Sequence, residues 1–179
     1  MSSREKPLIS LTLHSGRDAH EDLVFRFWNG DEFVCDSYFL QIDQVYEKRW
    51  MDCPWPRFFR SRASRWYRER EPQRLRCVTR ELLEQWRRHL VALPDGDAIT
   101  LPFDLSDQCS TFLRCRRDGG TAHLSIIGSL FEGWGVRVND ITHVLRDPAV
   151  LRGVQIPTEH AAPLAELLAD LDSIIASLT

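Results

Sequence analysis

The N-terminal part of the chain alternates apolar and polar positions in the way that is typical of half-buried β-strands. Within residues 8–14, Ile9, Leu11 and Leu13 alternate with Ser10, Thr12 and His14, which predicts a strand with one face in a core. Two further apolar stretches, 23–28 and 32–35, flank Asn29-Gly30. Because Asn-Gly accepts the positive φ angles of a tight turn at low cost, this pattern predicts a β-hairpin.

The middle of the chain, residues 47–93, changes to an aromatic, basic and helical pattern. Apolar side chains recur with helical spacing from Phe58 to Tyr67, and arginines occupy the other side of the helical wheel. Pro72 is expected to end this helix. A second helix is expected to begin near Thr79, which is a suitable N-cap residue. The arginines of the first helix are Arg57, Arg60, Arg65 and Arg68.

The rest of the chain returns to strand patterns and ends in an amphipathic helix. Alternation around Pro102 predicts a strand that lies at a sheet edge or contains a bulge. The stretches 110–116 and 121–127 flank a glycine-containing turn and predict a second hairpin. From Leu164 to Leu178, leucine and isoleucine recur with a period of about 3.6 residues, which predicts a C-terminal helix.

Together these elements predict one α+β domain over residues 1–179. We expect a mostly antiparallel sheet of about six or seven strands, a central helical insertion at 47–93, and a C-terminal helix packed on the sheet. A length of 179 residues is ordinary for one domain. No run of about 18 apolar residues occurs, so a membrane span is not expected. The polar N-terminus also lacks the apolar core of a signal peptide.

The cysteines predict a reducing environment. They are five in number, which is odd, and no two form a CxxC pair. We therefore expect free thiols in the cytoplasm. Four of them have apolar neighbours in the sequence and are expected to be small buried side chains, namely Cys35, Cys77, Cys109 and Cys115; the fifth is Cys53.

The net charge of −3 conceals an uneven distribution. Residues 47–90 carry 13 basic and 6 acidic side chains, whereas residues 1–46 carry 4 and 8, and residues 91–179 carry 6 and 12. A basic middle between acidic ends bears on partners, or on pairing within the chain, and not on the fold.

The arginine face of the predicted first helix allows two interpretations. Guanidinium groups match phosphate geometry, and nearby aromatic residues such as Trp55 could stack on bases, which favours RNA or DNA binding. However, the aromatic residues of the helix lie opposite its arginines, as in a helix whose apolar face enters a core, and no known nucleic-acid-binding module is recognisable. A basic face that is solvated or paired with acidic segments of the same chain is the simpler interpretation.

Two further segments are candidate contact surfaces. Four aspartates follow one another without a basic residue between them and form either a solvated turn or a docking patch for a basic partner: Asp95, Asp97, Asp104 and Asp107. The glycine-rich stretch 128–135 contains Phe131 and Trp134. An exposed aromatic residue on such a loop is a common interface anchor, and the alternative is a bulged connection whose Trp134 fills the core.

Patterns typical of catalysis are absent from the sequence. The His, Asp and Glu residues of 14–22 match no HExxH and no calcium-loop spacing, so a metal site is not expected. No GxSxG is present, and the glycines of 128–135 lack the GK[ST] of a P-loop. We therefore expect a protein without enzymatic activity and without a cofactor.

The chain resembles the immunity proteins that neutralise bacterial polymorphic toxins. The resemblance lies in the early strand with its Asn29-Gly30 hairpin, in the segment 153–157 that leads towards the C-terminal helix, and in that leucine-rich helix itself. It implies stoichiometric binding that occludes the active site of a toxin, and it assigns no catalytic residue. The basic middle differs from the acidic character common in nuclease inhibitors, which argues against a nuclease as the target.

The resulting interpretation is a cytoplasmic protein-binding module whose partner is a cognate protein toxin. Arg-mediated binding of RNA or DNA is the alternative, and no membrane contact is expected. The candidate partner-binding residues are Asp95, Asp97, Asp104, Asp107, Phe131, Trp134, Arg57, Arg60, Arg65 and Arg68.

Overall fold

The computed structural model describes residues 6–14, 23–35, 71–106, 108–133, 136 and 140–179. The elements in these ranges, in chain order, are β1 (Ile9–Leu13), β2 (Leu23–Phe27), β3 (Glu32–Cys35), α1 (Glu71–Val91), β4 (Ala98–Leu105), β5 (Ser110–Asp118), β6 (Thr121–Ser129), α2 (Pro148–Leu151), β7 (Val154–Pro163) and α3 (Leu164–Ser177).

The strands form two antiparallel sheets, in the orders β1-β2-β3 and β4-β5-β6-β7. The α+β class is confirmed, but the single sheet that the sequence predicted is wrong. The sheets meet through side-chain packing: the rings of Phe25, Phe27 and Phe33 all lie 5.2–5.5 Å from the ring of Phe103 on β4. Aromatic side chains of this size fill the space between two sheets, so one core serves both.

Both predicted hairpins are present. In the first, the N–H of Gly30 donates to the carbonyl of Phe27 at 2.9 Å, and Gly30 has a φ of +87°, which L side chains rarely adopt. Asn29 supports this turn, since its Oδ1 accepts the N–H of Asp31 at 3.0 Å. In the second, β5 and β6 pair from Asp118 and Thr121 onwards. The local turn chemistry therefore set both connections.

Helix α1 begins earlier than the sequence predicted. It starts at Glu71 and includes Pro72 in its first turn, where the missing N–H of proline costs no helical hydrogen bond. Thr79 is therefore not an N-cap but a fully buried residue of the helix interior. On the same buried side, Trp86 is fully enclosed; its ring lies 5.8 Å from that of Phe25, and its Nε1 donates to the carbonyl of Pro102 at 3.2 Å.

Helix α3 covers the core as predicted for a C-terminal helix packed on a sheet. Its buried residues are Leu164, Leu167 and Leu171. The carboxylate of Asp170 accepts the N–H of Leu8 at 2.5 Å just before β1, so α3 holds the first sheet as well as the second.

The two edges of the four-stranded sheet differ. On β4, Thr100 donates its N–H to the carbonyl of Leu145 at 2.9 Å, so a connecting segment covers this edge. Pro102 lies at a register shift in the same strand, which agrees with the predicted edge or bulge. The other outermost strand is β7, whose first residues form one wall of the candidate site.

Candidate binding groove

The end of β6 and the beginning of β7 enclose a groove with a volume of about 580 Å³. Residues 128–132 form one wall and residues 152–154 the other; we call it the Leu130 groove. Leu130 is 89% exposed and Val154 is 77% exposed. Two large apolar side chains therefore face solvent on opposite walls of one concave surface.

Gly153 allows the two walls to approach each other. A Cβ atom at this position would collide with the carbonyl oxygen of Gly128 and with the side chain of Ile127, and it would lie 3.0 Å from the carbonyl oxygen of Val150. Two of these obstacles are backbone atoms, which cannot move as a flexible side chain would. Only glycine fits, so this residue determines how β7 enters the sheet.

The loop after β6 is held in place by the backbone. Gly133 donates its N–H to the carbonyl of Ser106 at 2.6 Å, and Phe131 donates its N–H to the Oγ of Ser129 at 3.2 Å. The ring of Phe131 packs edge-on against that of Phe112, with centroids 6.2 Å apart. This contact turns Phe131 inward, and the preceding residue, Leu130, points to solvent.

Charged residues border the apolar centre. Glu132 and Arg152 are exposed on the two walls of the groove. Within the described part of the chain, neither side chain has an ion-pair partner. The groove therefore has an apolar centre with one acidic and one basic group at its rim.

Sequence reasoning found part of this groove. Phe131 was a candidate contact residue and does line it, although the side chain is half-buried. Trp134 lies outside the described residues. Leu130 and Val154 were missed, because each lies at a strand end, where alternation no longer determines which side chain faces solvent.

The candidate aspartates do not form one patch. Asp95 accepts the N–H of Gly119 at 2.5 Å, and Asp97 forms an ion pair with Arg146 at 2.7 Å. Asp104 lies seven residues further along β4, which corresponds to roughly 23 Å of strand. The carboxylates at 95 and 97 thus lie at one end of the strand and Asp104 at the other, and Asp107 is outside the described residues.

The candidate arginines Arg57, Arg60, Arg65 and Arg68 all lie outside the described residues. Nucleic-acid binding through that face therefore stays a prediction. The structure does describe residues 71–90, the last part of the basic segment 47–90. There Arg87 pairs with Asp172 of α3, and Arg80 pairs with Glu84 at 3.5 Å.

The cysteines differ from the prediction in their exposure. Cys35 and Cys115 are buried as expected, whereas Cys77 and Cys109 are exposed. Cys77 is on the solvent side of α1, and Cys109 lies in the turn before β5, so their apolar sequence neighbours are a poor guide to burial. Burial raises the pKa of the Cys115 thiol to about 12, which leaves it uncharged and a poor nucleophile at neutral pH.

One cluster of titratable groups lies where α1 meets the segment that follows Asp140. Hydrogen bonds from Thr142, whose N–H donates to the Asp140 carboxylate at 3.0 Å, lower the pKa of Asp140. Burial lowers the pKa of His89. No three His, Cys, Asp or Glu side chains of the described ranges converge on a point that could hold a metal ion.

Comparisons with known proteins identify no relative of the chain. No protein-family model, no curated protein and no solved structure matches the chain. Among the described helices, none has both the length and the apolar character required to cross a bilayer.

Proposed function

We propose that the chain is a protein-binding module without enzymatic activity, that it acts through the Leu130 groove, and that it is an immunity protein that occludes a cognate bacterial toxin. The observation that supports the proposal is the pair of apolar side chains, Leu130 and Val154, left exposed on the two walls of a concave surface. Covering one such side chain contributes about 1.5–3 kcal/mol.

The shape of the groove favours a protein over a small molecule as its occupant. A small-molecule site encloses about 70–90% or more of its ligand. The Leu130 groove does not enclose a ligand this completely, because Leu130 and Val154 on its walls are themselves mostly exposed to solvent. A protein surface covers both walls together, and an apolar centre with Glu132 and Arg152 at the rim is the usual arrangement of a protein interface.

The rigidity of the loop also supports the proposal. Because the loop is tied to Ser106 through Gly133 and to Phe112 through Phe131, little conformational entropy is lost when a partner binds it. The resemblance to immunity proteins supplies the class of partner, a toxin, and with it a cytoplasmic location where the toxin is synthesised.

The proposal is tested with the protein encoded by the neighbouring gene, which is expected to be the cognate toxin. The wild-type chain is expected to form a 1:1 complex in size-exclusion chromatography and to protect growth when both proteins are co-expressed. Leu130→Asp is expected to weaken the complex at least about tenfold, since it removes an apolar contact and places a charge in the interface.

The matched control is Val91→Asp. Val91 is an exposed valine, 53% accessible, at the end of α1 and away from the groove, so its replacement is expected to leave affinity and protection unchanged. Equal affinity of the Leu130→Asp and Val91→Asp proteins, or no complex with the wild-type chain, would contradict the proposal.

A further inference from the structure

We propose that the chain has a second ligand site, for a small phosphorylated molecule, on the face of β5, β6 and β7 opposite Leu113 and Cys115. A cleft of about 340 Å³ opens there, and its lining includes Arg114, Arg116, His123, Ser125 and Glu159. We call it the Arg114 cleft. It lies towards the other end of β6 and β7 from the Leu130 groove and does not depend on the proposed function.

The strand pairing brings four hydrogen-bonding side chains onto one face. Arg114 and Arg116 are two residues apart on β5, so they project from the same side of the sheet about 7 Å apart. On β6, Ser125 lies directly opposite Arg114, and His123 lies directly opposite Arg116. Side chains of directly opposed residues are neighbours in an antiparallel pair, so two guanidinium groups, a hydroxyl and an imidazole share this surface.

A bulge in β7 lies beside the cleft. The pairing of β6 with β7 passes from Leu124–His160 to Ile126–Ile156, so three residues of β7 stand opposite the single residue Ser125. A bulge of this kind bends the strand away from its neighbour and often occurs beside a binding site. Glu159 belongs to the bulge and lies on the wall opposite the arginines.

One arginine of the cleft has no partner among the described residues. Asp118 lies 4.0 Å from Arg116 and 3.7 Å from the Nε2 of His123, so it serves both. Arg114 is half-buried, and the structure shows no hydrogen bond or ion pair for its side chain with any described residue. A bound anion would provide the missing partner for Arg114.

Phosphate groups suit this arrangement better than a single carboxylate. A guanidinium can bind a tetrahedral oxyanion through two parallel N–H groups, and two long arginine side chains that start about 7 Å apart on one face can reach adjacent phosphoryl groups. The Ser125 hydroxyl and the His123 ring add donors from the neighbouring strand. The volume of about 340 Å³ is larger than one phosphate ion and leaves room for two linked phosphoryl groups.

Isothermal titration calorimetry with inorganic pyrophosphate tests the proposal. The wild-type chain is expected to bind one equivalent. Arg114→Gln is expected to weaken binding by about tenfold or more, because it removes charge-assisted hydrogen bonds. Arg114→Lys keeps the charge but loses the planar guanidinium, so its pyrophosphate affinity is expected to lie between those of the wild-type chain and Arg114→Gln. The control is Arg88→Gln, which removes an exposed arginine of α1 outside the cleft and is expected to change nothing.

Circular dichroism establishes that each variant is folded before its affinity is compared. Absence of pyrophosphate binding, or equal affinity of Arg114→Gln and Arg88→Gln, would overturn the proposal. A short single-stranded oligonucleotide provides the second arm of the experiment: binding of the oligonucleotide without any binding of pyrophosphate would also overturn it. The two proposals fail separately, because Leu130→Asp is expected to retain pyrophosphate binding and Arg114→Gln is expected to retain toxin binding.

Discussion

Replacement of Gly153 by alanine tests the close approach that shapes the Leu130 groove. The added Cβ atom would collide with the carbonyl oxygen of Gly128 on β6 and would lie 3.0 Å from the carbonyl oxygen of Val150 in α2. Since both obstacles are backbone atoms, β7 has to shift. Overpacking of this kind costs about 1–3 kcal/mol. With a urea m-value of about 2 kcal/mol/M, this corresponds to a decrease in the unfolding midpoint of about 0.5–1.5 M.

The assay is urea unfolding followed by circular dichroism, with Gly120→Ala as the matched control. A Cβ atom on Gly120 would meet nothing within 4 Å, and its backbone does not have a positive φ. The control is expected to be unchanged or stabilised by up to about 1 kcal/mol, because alanine restricts the unfolded chain. If Gly153→Ala unfolds at the same urea concentration as Gly120→Ala, the close approach of the two walls is not as described.

Three further predictions concern buried or titratable groups. Since the pKa of the Cys115 thiol is about 12, only about one molecule in ten thousand carries the thiolate at pH 8. Iodoacetamide should therefore label the exposed Cys109 in the native protein and should label Cys115 only after unfolding. Equal labelling of the two cysteines in the native protein would refute this. The lowered pKa of Asp140 means that its stabilising contribution is present above its unfolded pKa and is lost as the pH falls through the folded pKa. Thr142→Val removes the hydroxyl that donates to this carboxylate but keeps the backbone N–H, so it should raise the pKa of Asp140 in an NMR titration. An unchanged value would exclude the hydroxyl hydrogen bond as a cause of the lowered pKa. Trp86→Phe, which removes a buried hydrogen bond to β4 and some buried volume, should lower the free energy of unfolding by about 1–3 kcal/mol, whereas an effect below about 0.5 kcal/mol would contradict the described packing.

The strands and turns were predictable because their signals are local. The alternation of residues 9–13, the Asn29-Gly30 turn and the leucine spacing of α3 each reflect contacts made within one element or one hairpin. The division into two sheets was not predictable in this way. It depends on Phe103 packing against side chains about 70 or more positions earlier in the chain, and no local pattern encodes such a contact.

The candidate site was predicted only in part for a related reason. Phe131 was identified from its glycine-rich loop, but its ring turns inward because Phe112 lies beneath it. The exposure of Leu130 follows from that inward turn, and the exposure of Val154 follows from the entry of β7 at Gly153. The aspartates do not form one patch because the extended strand β4 separates Asp104 from Asp95 and Asp97.

Hydrogen–deuterium exchange of the chain alone and in complex with the proposed toxin locates the binding surface. Binding through the Leu130 groove is expected to slow amide exchange in residues 128–133 and 152–156, which form its two walls, and to leave β1 to β3 unchanged. Protection confined to other segments, with the exchange of both walls unaltered by the toxin, would contradict the assignment of this groove as the binding surface.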